Sequence, residues 1–184
     1  LPEWTRTVKY LHQLIQEKTG RDLPIGVTET NSHYTHAIGG EATPDSFYNA
    51  IWWADILGRM IAEDVLIVNY FMLTASSASQ SGFGLIGRGE VLPTYYVYQM
   101  YQYFGDHQIY ASSGVEGLNM YAAKDADGNL TVMIINTENE GKQTTLNLEG
   151  IDVGQAELWL FDATHNAENL GIQTFTSEGN LNIP

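Results

Sequence analysis

Glu29 closes a short apolar run, Pro24-Ile25-Gly26-Val27-Thr28-Glu29, and a polar loop, Thr30-Asn31-Ser32-His33-Tyr34, opens directly after it. An ionised carboxylate can act as a nucleophile or a general base, and packing alone asks for none at the end of an apolar strand. A strand that ends on one acid and runs into amide, hydroxyl and imidazole groups is how a barrel enzyme places chemistry at its mouth. The competing reading of Glu29 is a solvated strand terminus or an ion-pair partner.

Other side chains are candidates for binding rather than bond-breaking. Asn31, Ser32, His33 and Tyr34 lie on the loop after the strand, and long loops on this face of a barrel shape the substrate pocket. Asn69 is the polar residue of a second apolar run, Val65 to Phe71, so the period-two rule makes it a candidate for the open face; the alternative is a satisfied core Asn. A small polar stretch, Ser76 to Gly84, lies in a connection too long to be a mere link and is expected to border the site; the alternative is a flexible surface loop. It contains no Gly-x-Ser-x-Gly, so a serine-hydrolase elbow is not supported. Arg88 could pair its planar fork with a carboxylate on a sugar, or be an ordinary surface Arg. Tyr95, near the start of a helix, could reach the site, whereas Trp52, Trp53 and the other Tyr residues of the run to Tyr103 have the helical spacing of packing residues.

Metal chemistry has weak support. His33 and His36 near Glu29 and Glu41 form a loop His-x-x-His without a helix behind it. Asp125-x-Asp127-x-Asn129 begins like a calcium loop, but Leu130 stands where Gly is needed and Asn136 where the bidentate Glu is needed, so it reads as a turn. No metal or cofactor is expected.

The elements that must position these groups alternate. Residues 3–18 carry Trp4, Val8, Leu11, Leu14 and Ile15 on one helical face, with Gly20 as a stop. A strand at 25–29 follows. Thr43-Pro44-Asp45-Ser46 opens a helix over 46–63 that is apolar on most sides, and a strand at 65–71 comes next. Pro93-Thr94 starts a third helix through about residue 104. Strands separated by helices predict parallel pairing through right-handed crossovers. After Gly105 the texture becomes short and β-rich: strands are expected at 115–123, 130–136, 143–148, 156–161 and 172–177, with a hairpin at Asp125–Asn129. The weak alternation of 130–136 suggests burial on both faces. This part reads as an all-β sandwich, with Trp159 and Phe161 in its core.

The first part is incomplete by this reading, because two parallel strands cannot cover helices as apolar as 46–63. Leu1-Pro2 is also an unusual start, so a preceding segment is expected to supply the rest of the barrel.

With these residues in view, the chain resembles the C-terminal part of a clan A retaining glycoside hydrolase. The resemblance rests on Val27-Thr28-Glu29-Thr30-Asn31-Ser32, Gly39-Gly40, the helix 46–63, the strand 65–71, Pro93-Thr94-Tyr95-Tyr96 and the hairpin from Tyr121-Ala122-Ala123-Lys124 to Ile135-Asn136. It is most similar to the heparanase-like β-glucuronidases, with the β-xylosidase and arabinofuranosidase families close behind. The resemblance implies an α/β plus all-β fold: residues 1–106 would be the last two strands of a (β/α)8 TIM barrel, and 107–184 a β-sandwich domain. It implies that Glu29 is the nucleophile of a double displacement on a poly- or oligosaccharide. The family's acid/base, a Glu after an Asn at the end of the fourth barrel strand, has no counterpart here. Retaining hydrolysis needs two carboxyl groups about 5–5.5 Å apart, so the chain alone is expected to be inactive and to need the missing N-terminal barrel segment as its partner.

Charge and composition bound the partners. Eight Lys and Arg against 22 Asp and Glu give a net charge of −14. Nucleic acid is not an expected partner, since phosphate contact needs clustered cations. A densely sulfated polysaccharide would be repelled at long range, which favours a neutral plant-type glycan or a lone uronide. Cysteine is absent, which excludes a disulfide framework and leaves the compartment open. No apolar run approaches membrane-spanning length, and the resemblance favours a secreted protein. A reading from another class is a non-catalytic carbohydrate-binding or structural β-sandwich module, which would display exposed coplanar aromatics from among Tyr121, Trp159, Phe161 and Phe175.

Overall fold

The computed structural model describes residues 2–35, 38–75, 82–87, 89–151, 154–176 and 178–184. They form two units, Leu1–Tyr95 and Tyr96–Pro184, and the division falls within one helix.

In the first unit, helix α1 (Pro2–Thr19) leads into strand β1 (Gly26–Thr30). Gly20 ends the helix in the left-handed region at φ 67°, and its N–H donates to the Gln16 carbonyl. Helix α2 (Phe47–Ala62) is capped by Ser46, whose hydroxyl accepts from the Asn49 N–H at 3.1 Å. Its inward face buries Ala50, Trp53, Ile56 and Met60. Tyr48 remains 58% exposed, so the helix is less covered than its composition suggested. Strand β2 (Ile67–Tyr70) follows and pairs with β1 in parallel, as the alternation of helices and strands predicts.

The connection after β2 holds more order than a polar loop. Met72 and Leu73 hydrogen-bond with the segment Phe83–Ile86, and β3 (Ile86–Gly87) pairs with β4 (Glu90–Val91) as a small hairpin. The apolar residues flanking the Ser-rich run drive this pairing, since both Phe83 and Leu85 are buried. Residues 76–81, most of that run, lie outside the described residues. Helix α3 (Pro93–Tyr101) then begins on Pro, whose missing N–H is no loss at a first helical position.

The second unit is built from antiparallel strands: β5 (His107–Ile109), β6 (Leu118–Lys124), β7 (Leu130–Asn136), β8 (Lys142–Asn147), β9 (Gln155–Leu160), β10 (Glu168–Thr174) and β11 (Glu178–Ile183). They pair as β5-β6-β7, β8-β11 and β9-β10. The β6–β7 turn is the hairpin read from Asp125–Asn129. There the Asp125 carboxylate accepts from the Asn129 side chain at 2.8 Å and from the Asn129 and Asp127 N–H groups, which lowers its pKa. Those bonds use the acid to close a turn. Met133 and Ile135 of β7 are buried and their neighbours half-buried, so one face is covered more fully than the other and neither is bare. Trp159 and Phe161 are half-buried; their rings meet Tyr103 at 4.9 Å and Tyr96 at 6.2 Å.

Candidate active site

The pairing of β1 with β2 decides where Glu29 points. Val27 lies opposite Val68 and Thr30 opposite Tyr70, so three steps along β1 are matched by two along β2. Thr28 and Glu29 therefore share the position opposite Asn69. Such a shift reverses the alternation beyond it. In even register Glu29 would lie opposite Tyr70, on the side that meets α2. With the shift Thr30 takes that place and is 5% exposed, while Glu29 and Asn69 are both exposed. Among the described residues no hydrogen bond or ion pair holds the Glu29 carboxylate, which leaves its lone pairs available to a reacting partner.

Behind this strand end lies a buried polar cluster that sequence reasoning did not single out. Asn49 of α2 is 0% exposed and Thr94, at the start of α3, 1%. The Asn49 amide donates to the Tyr70 hydroxyl at 2.9 Å and to the Thr94 hydroxyl at 2.7 Å. The Tyr70 ring stands edge-on to Trp53 with centroids 5.0 Å apart. Burial pushes the Tyr70 phenol up from its ordinary value; the side chains of Asn49, Thr94 and Asn31 oppose that rise and Asp45 adds to it. The available signal was a lone amide on the apolar face of a helix and a hydroxyl directly after the Pro that opens another.

The loop after β1 is tied to this cluster. The Asn31 amide donates to the Phe71 carbonyl, and its oxygen accepts from the Ser32 N–H at 2.7 Å. Asn31 thus reaches across from β1 to the end of β2. His33 Nδ1 lies 3.1 Å from the Thr35 N–H, which donates to it, and the ring stacks on Tyr34 at 4.9 Å. Tyr34 is 91% exposed. Asp45 accepts from the Gly39 N–H through both oxygens and from the Thr43 hydroxyl, and so folds the rest of the loop back toward α2.

The structure thus brings Glu29, Asn31, Ser32 and Asn69 to one end of the β1–β2 pair. Asn69 is exposed in this chain. Tyr95 is 38% exposed on the first turn of α3. Arg88 lies outside the described residues, as does His36 of the His-x-x-His pair. Among the described residues no group of three His, Cys, Asp or Glu side chains is placed to hold a metal ion.

Known proteins share this fold without sharing much sequence. No family model matches the chain, and no curated protein matches it. A family 30 endoxylanase from Clostridium papyrosolvens C71 superposes with a TM-score of 0.71 at 13% identity, covering 94% of this chain and 42% of that one. A family 30 subfamily 8 xylanase from Clostridium acetobutylicum gives 0.69 at 14% identity, over 93% of this chain and 42% of its own. The catalytic domain of a family 30 xylanase C from Talaromyces cellulolyticus gives 0.58 at 17% identity, with 89% and 39% covered. The chain therefore has the fold of part of a glycoside hydrolase, spanning about two-fifths of the solved structures it resembles. These three structures are xylanases of family 30 and not heparanase-like glucuronidases, and at 13–17% identity the likeness is one of fold alone.

Proposed function

We propose that this chain is the C-terminal part of a retaining glycoside hydrolase and that Glu29 is its nucleophile. The observation that carries the reading is the register shift that exposes Glu29 at the end of β1, in a fold like part of the family 30 xylanases. On this reading β1 and β2 are the last two strands of a (β/α)8 barrel within residues 1–106. Residues 107–184 are a β-sandwich. A preceding segment supplies the other strands and the acid/base carboxyl group.

The chemistry follows from one free carboxylate. A Glu29 oxygen attacks the anomeric carbon as the glycosidic C–O bond breaks, and the leaving oxygen takes a proton from the acid carried by the preceding segment. That residue then removes a proton from water, which attacks the anomeric carbon and releases Glu29. Ser32, His33, Tyr34 and Asn69 bind sugar hydroxyls around the reacting centre, with Asn31, Arg88 and Tyr95 as further contacts. Tyr34 and Asn69 are exposed where such hydroxyls would approach. With a net charge of −14, the chain suits a neutral glycan of the xylan type better than a sulfated one. A protein that degrades such a polymer works outside the cell; among the described residues no helix is long and apolar enough to cross a membrane.

Covalent trapping tests the assignment. A 2-deoxy-2-fluoro xyloside or xylobioside with a good leaving group should label the complete protein once, on the peptide containing Glu29. Labelling elsewhere, or glycan binding with no label under conditions of turnover, rejects it in favour of a non-catalytic module. The aromatic surface such a module needs is already engaged in part, since Trp159 packs on Tyr103 and Phe161 on Tyr96.

A further inference from the structure

The polar cluster behind β1 is buried at a cost that packing does not repay. Asn49 gives both amide hydrogens to hydroxyls, yet its side-chain oxygen, like the Thr30 hydroxyl, is buried with no partner among the described residues. Buried polar atoms left unpaired destabilise a fold, and apolar side chains of the same shape would fill this space at no such cost. What the cluster does provide is direction. A hydrogen bond fixes the Tyr70 hydroxyl to one point on α2, and the same amide ties that point to the first turn of α3.

Tyr70 is also the β2 residue that takes Thr30 as its partner after the register shift. The Phe71 N–H donates to the Thr30 carbonyl at 2.9 Å, and the Phe71 carbonyl accepts from Asn31. The backbone one and two residues beyond Glu29 is thereby held to β2. On the other side Val27 is held by its own pairing with Val68. Glu29 sits between two fixed points, and its aim depends on which β2 residue Thr30 meets. Slipping back to even register would carry Glu29 to the α2 side and remove it from the exposed face.

We infer that Asn49, Tyr70 and Thr94 are positioning residues that lock the register shift and so aim the Glu29 carboxylate at the reacting carbon. The inference rests on the reading of Glu29 as nucleophile. None of the three touches the sugar; they act through Thr30 and Asn31. Small displacements of a reacting group are costly in rate, with about 1 Å worth roughly 100-fold, while substrate contacts on the loop stay in place.

The experiment uses the complete protein and two variants. Tyr70→Phe deletes the hydroxyl and keeps the ring on Trp53. The triple variant Asn49→Leu, Tyr70→Phe, Thr94→Val replaces the whole cluster by apolar groups of similar shape. Both are measured for kcat and KM on a xylo-oligosaccharide, for the rate of Glu29 labelling by the fluoro-xyloside, and for Tm. The expected result is a triple variant whose Tm is equal or higher, whose KM stays within twofold, and whose kcat and labelling rate fall by about 10- to 100-fold. Tyr70→Phe leaves one buried Asn49 amide hydrogen unpaired, so its Tm should fall slightly, while KM stays within twofold and kcat and labelling fall by about 3- to 10-fold; it decides the matter if the triple variant does not fold. Unchanged kcat and labelling in a folded variant overturn the inference. So does a loss of kcat that comes only with a lowered Tm and a raised KM, the signature of a merely structural role. Absence of Glu29 labelling in the unsubstituted protein overturns the nucleophile assignment itself, which separates the two failures.

Discussion

Thr30 and Tyr70 face each other across the β1–β2 pair one residue later on β1 than the pairing of Val27 with Val68 would place them. That one residue separates a Glu29 turned toward α2 from a Glu29 on the exposed face. A covalent nucleophile must present its carboxylate to a substrate, so the displaced pairing is what gives the proposed chemistry its geometry.

If Glu29 forms the glycosyl-enzyme bond, Glu29→Ala in the complete protein should lose turnover by on the order of 10⁴-fold or more, since no other group substitutes for a covalent nucleophile. The cavity left by the shortened side chain should admit azide. Added azide should then restore product formation from an aryl xyloside and give a glycosyl azide of inverted anomeric configuration. A variant that retains activity without azide, or an azide product of retained configuration, assigns the nucleophile elsewhere.

A second prediction concerns what holds α2. Asp55 has a side chain 0% exposed, and one of its oxygens accepts from the Arg59 guanidinium at 2.7 Å, one turn further along the helix. Removing the cation takes the Arg59 charge away from a carboxylate inside the protein. Arg59→Met should therefore destabilise the complete protein by about 3 kcal/mol. The double replacement Arg59→Met, Asp55→Leu should recover much of that loss, because two apolar side chains need no charge partner. Urea denaturation of the three proteins measures both steps; a single variant as stable as the parent would show the pair to be dispensable.

In the second unit, Asp162 closes a loop after β9. Burial would raise its pKa, but hydrogen bonds from the Thr164 N–H and hydroxyl and from His165 win and lower it from the ordinary 3.8 to about 2. A depressed folded-state value means that the ionised acid stabilises the fold above its unfolded pKa. The contribution is lost as pH falls from about 3.8 through about 2. Asp162→Ala should cost roughly 1–2 kcal/mol at pH 7 and clearly less at pH 2, where about half of the folded-state carboxyls are protonated. Denaturation curves of parent and variant at the two pH values test this, and an equal deficit at both would show that the carboxylate's charge plays no part.

The sequence carried the order of elements because the signals are local and periodic. The stripe from Val8 to Ile15, the Gly20 stop and the Pro93 start are each decided within a turn or two of chain, and α1, α2 and α3 lie where those signals put them. Glu29 stood out because its type conflicts with its position. The register shift was not legible, since period-two reasoning assumes even pairing and would group Glu29 with Val27. The Asn49–Tyr70–Thr94 cluster was hidden for a related reason: its members come from three elements far apart in the chain, and each alone passes for ordinary packing or capping. Strand β5 is three residues long and β11 alternates Asn with Leu and Ile at the chain's end, so neither gave a run long enough to read. In the loop after β2 the Ser-rich stretch drew attention away from Met72, Leu73, Phe83 and Leu85, whose pairing gives the segment its structure.

The last prediction follows from what β1 and β2 leave uncovered. Leu66 is 72% exposed, Ile67 49%, Leu73 63% and Phe71 38%, all on or beside a parallel two-stranded sheet. Each outer edge of that sheet also offers backbone N–H and C=O groups with no neighbouring strand among the described residues. Two parallel strands are too few to be stable with one face bare, and exposed edges of this kind associate with whatever strand is available. On the proposed reading the available strands are those of the preceding barrel segment, which also brings the acid/base. The chain of residues 1–184 made alone should therefore bind a hydrophobic dye such as ANS, show a broad unfolding transition and release no sugar from xylan. The complete protein should bind little dye, unfold cooperatively and hydrolyse the polymer. Supplying the preceding segment as a separate polypeptide should suppress dye binding and restore part of the activity. Hydrolysis by the isolated chain at the rate of the complete protein would refute the requirement for a second carboxyl group from outside it.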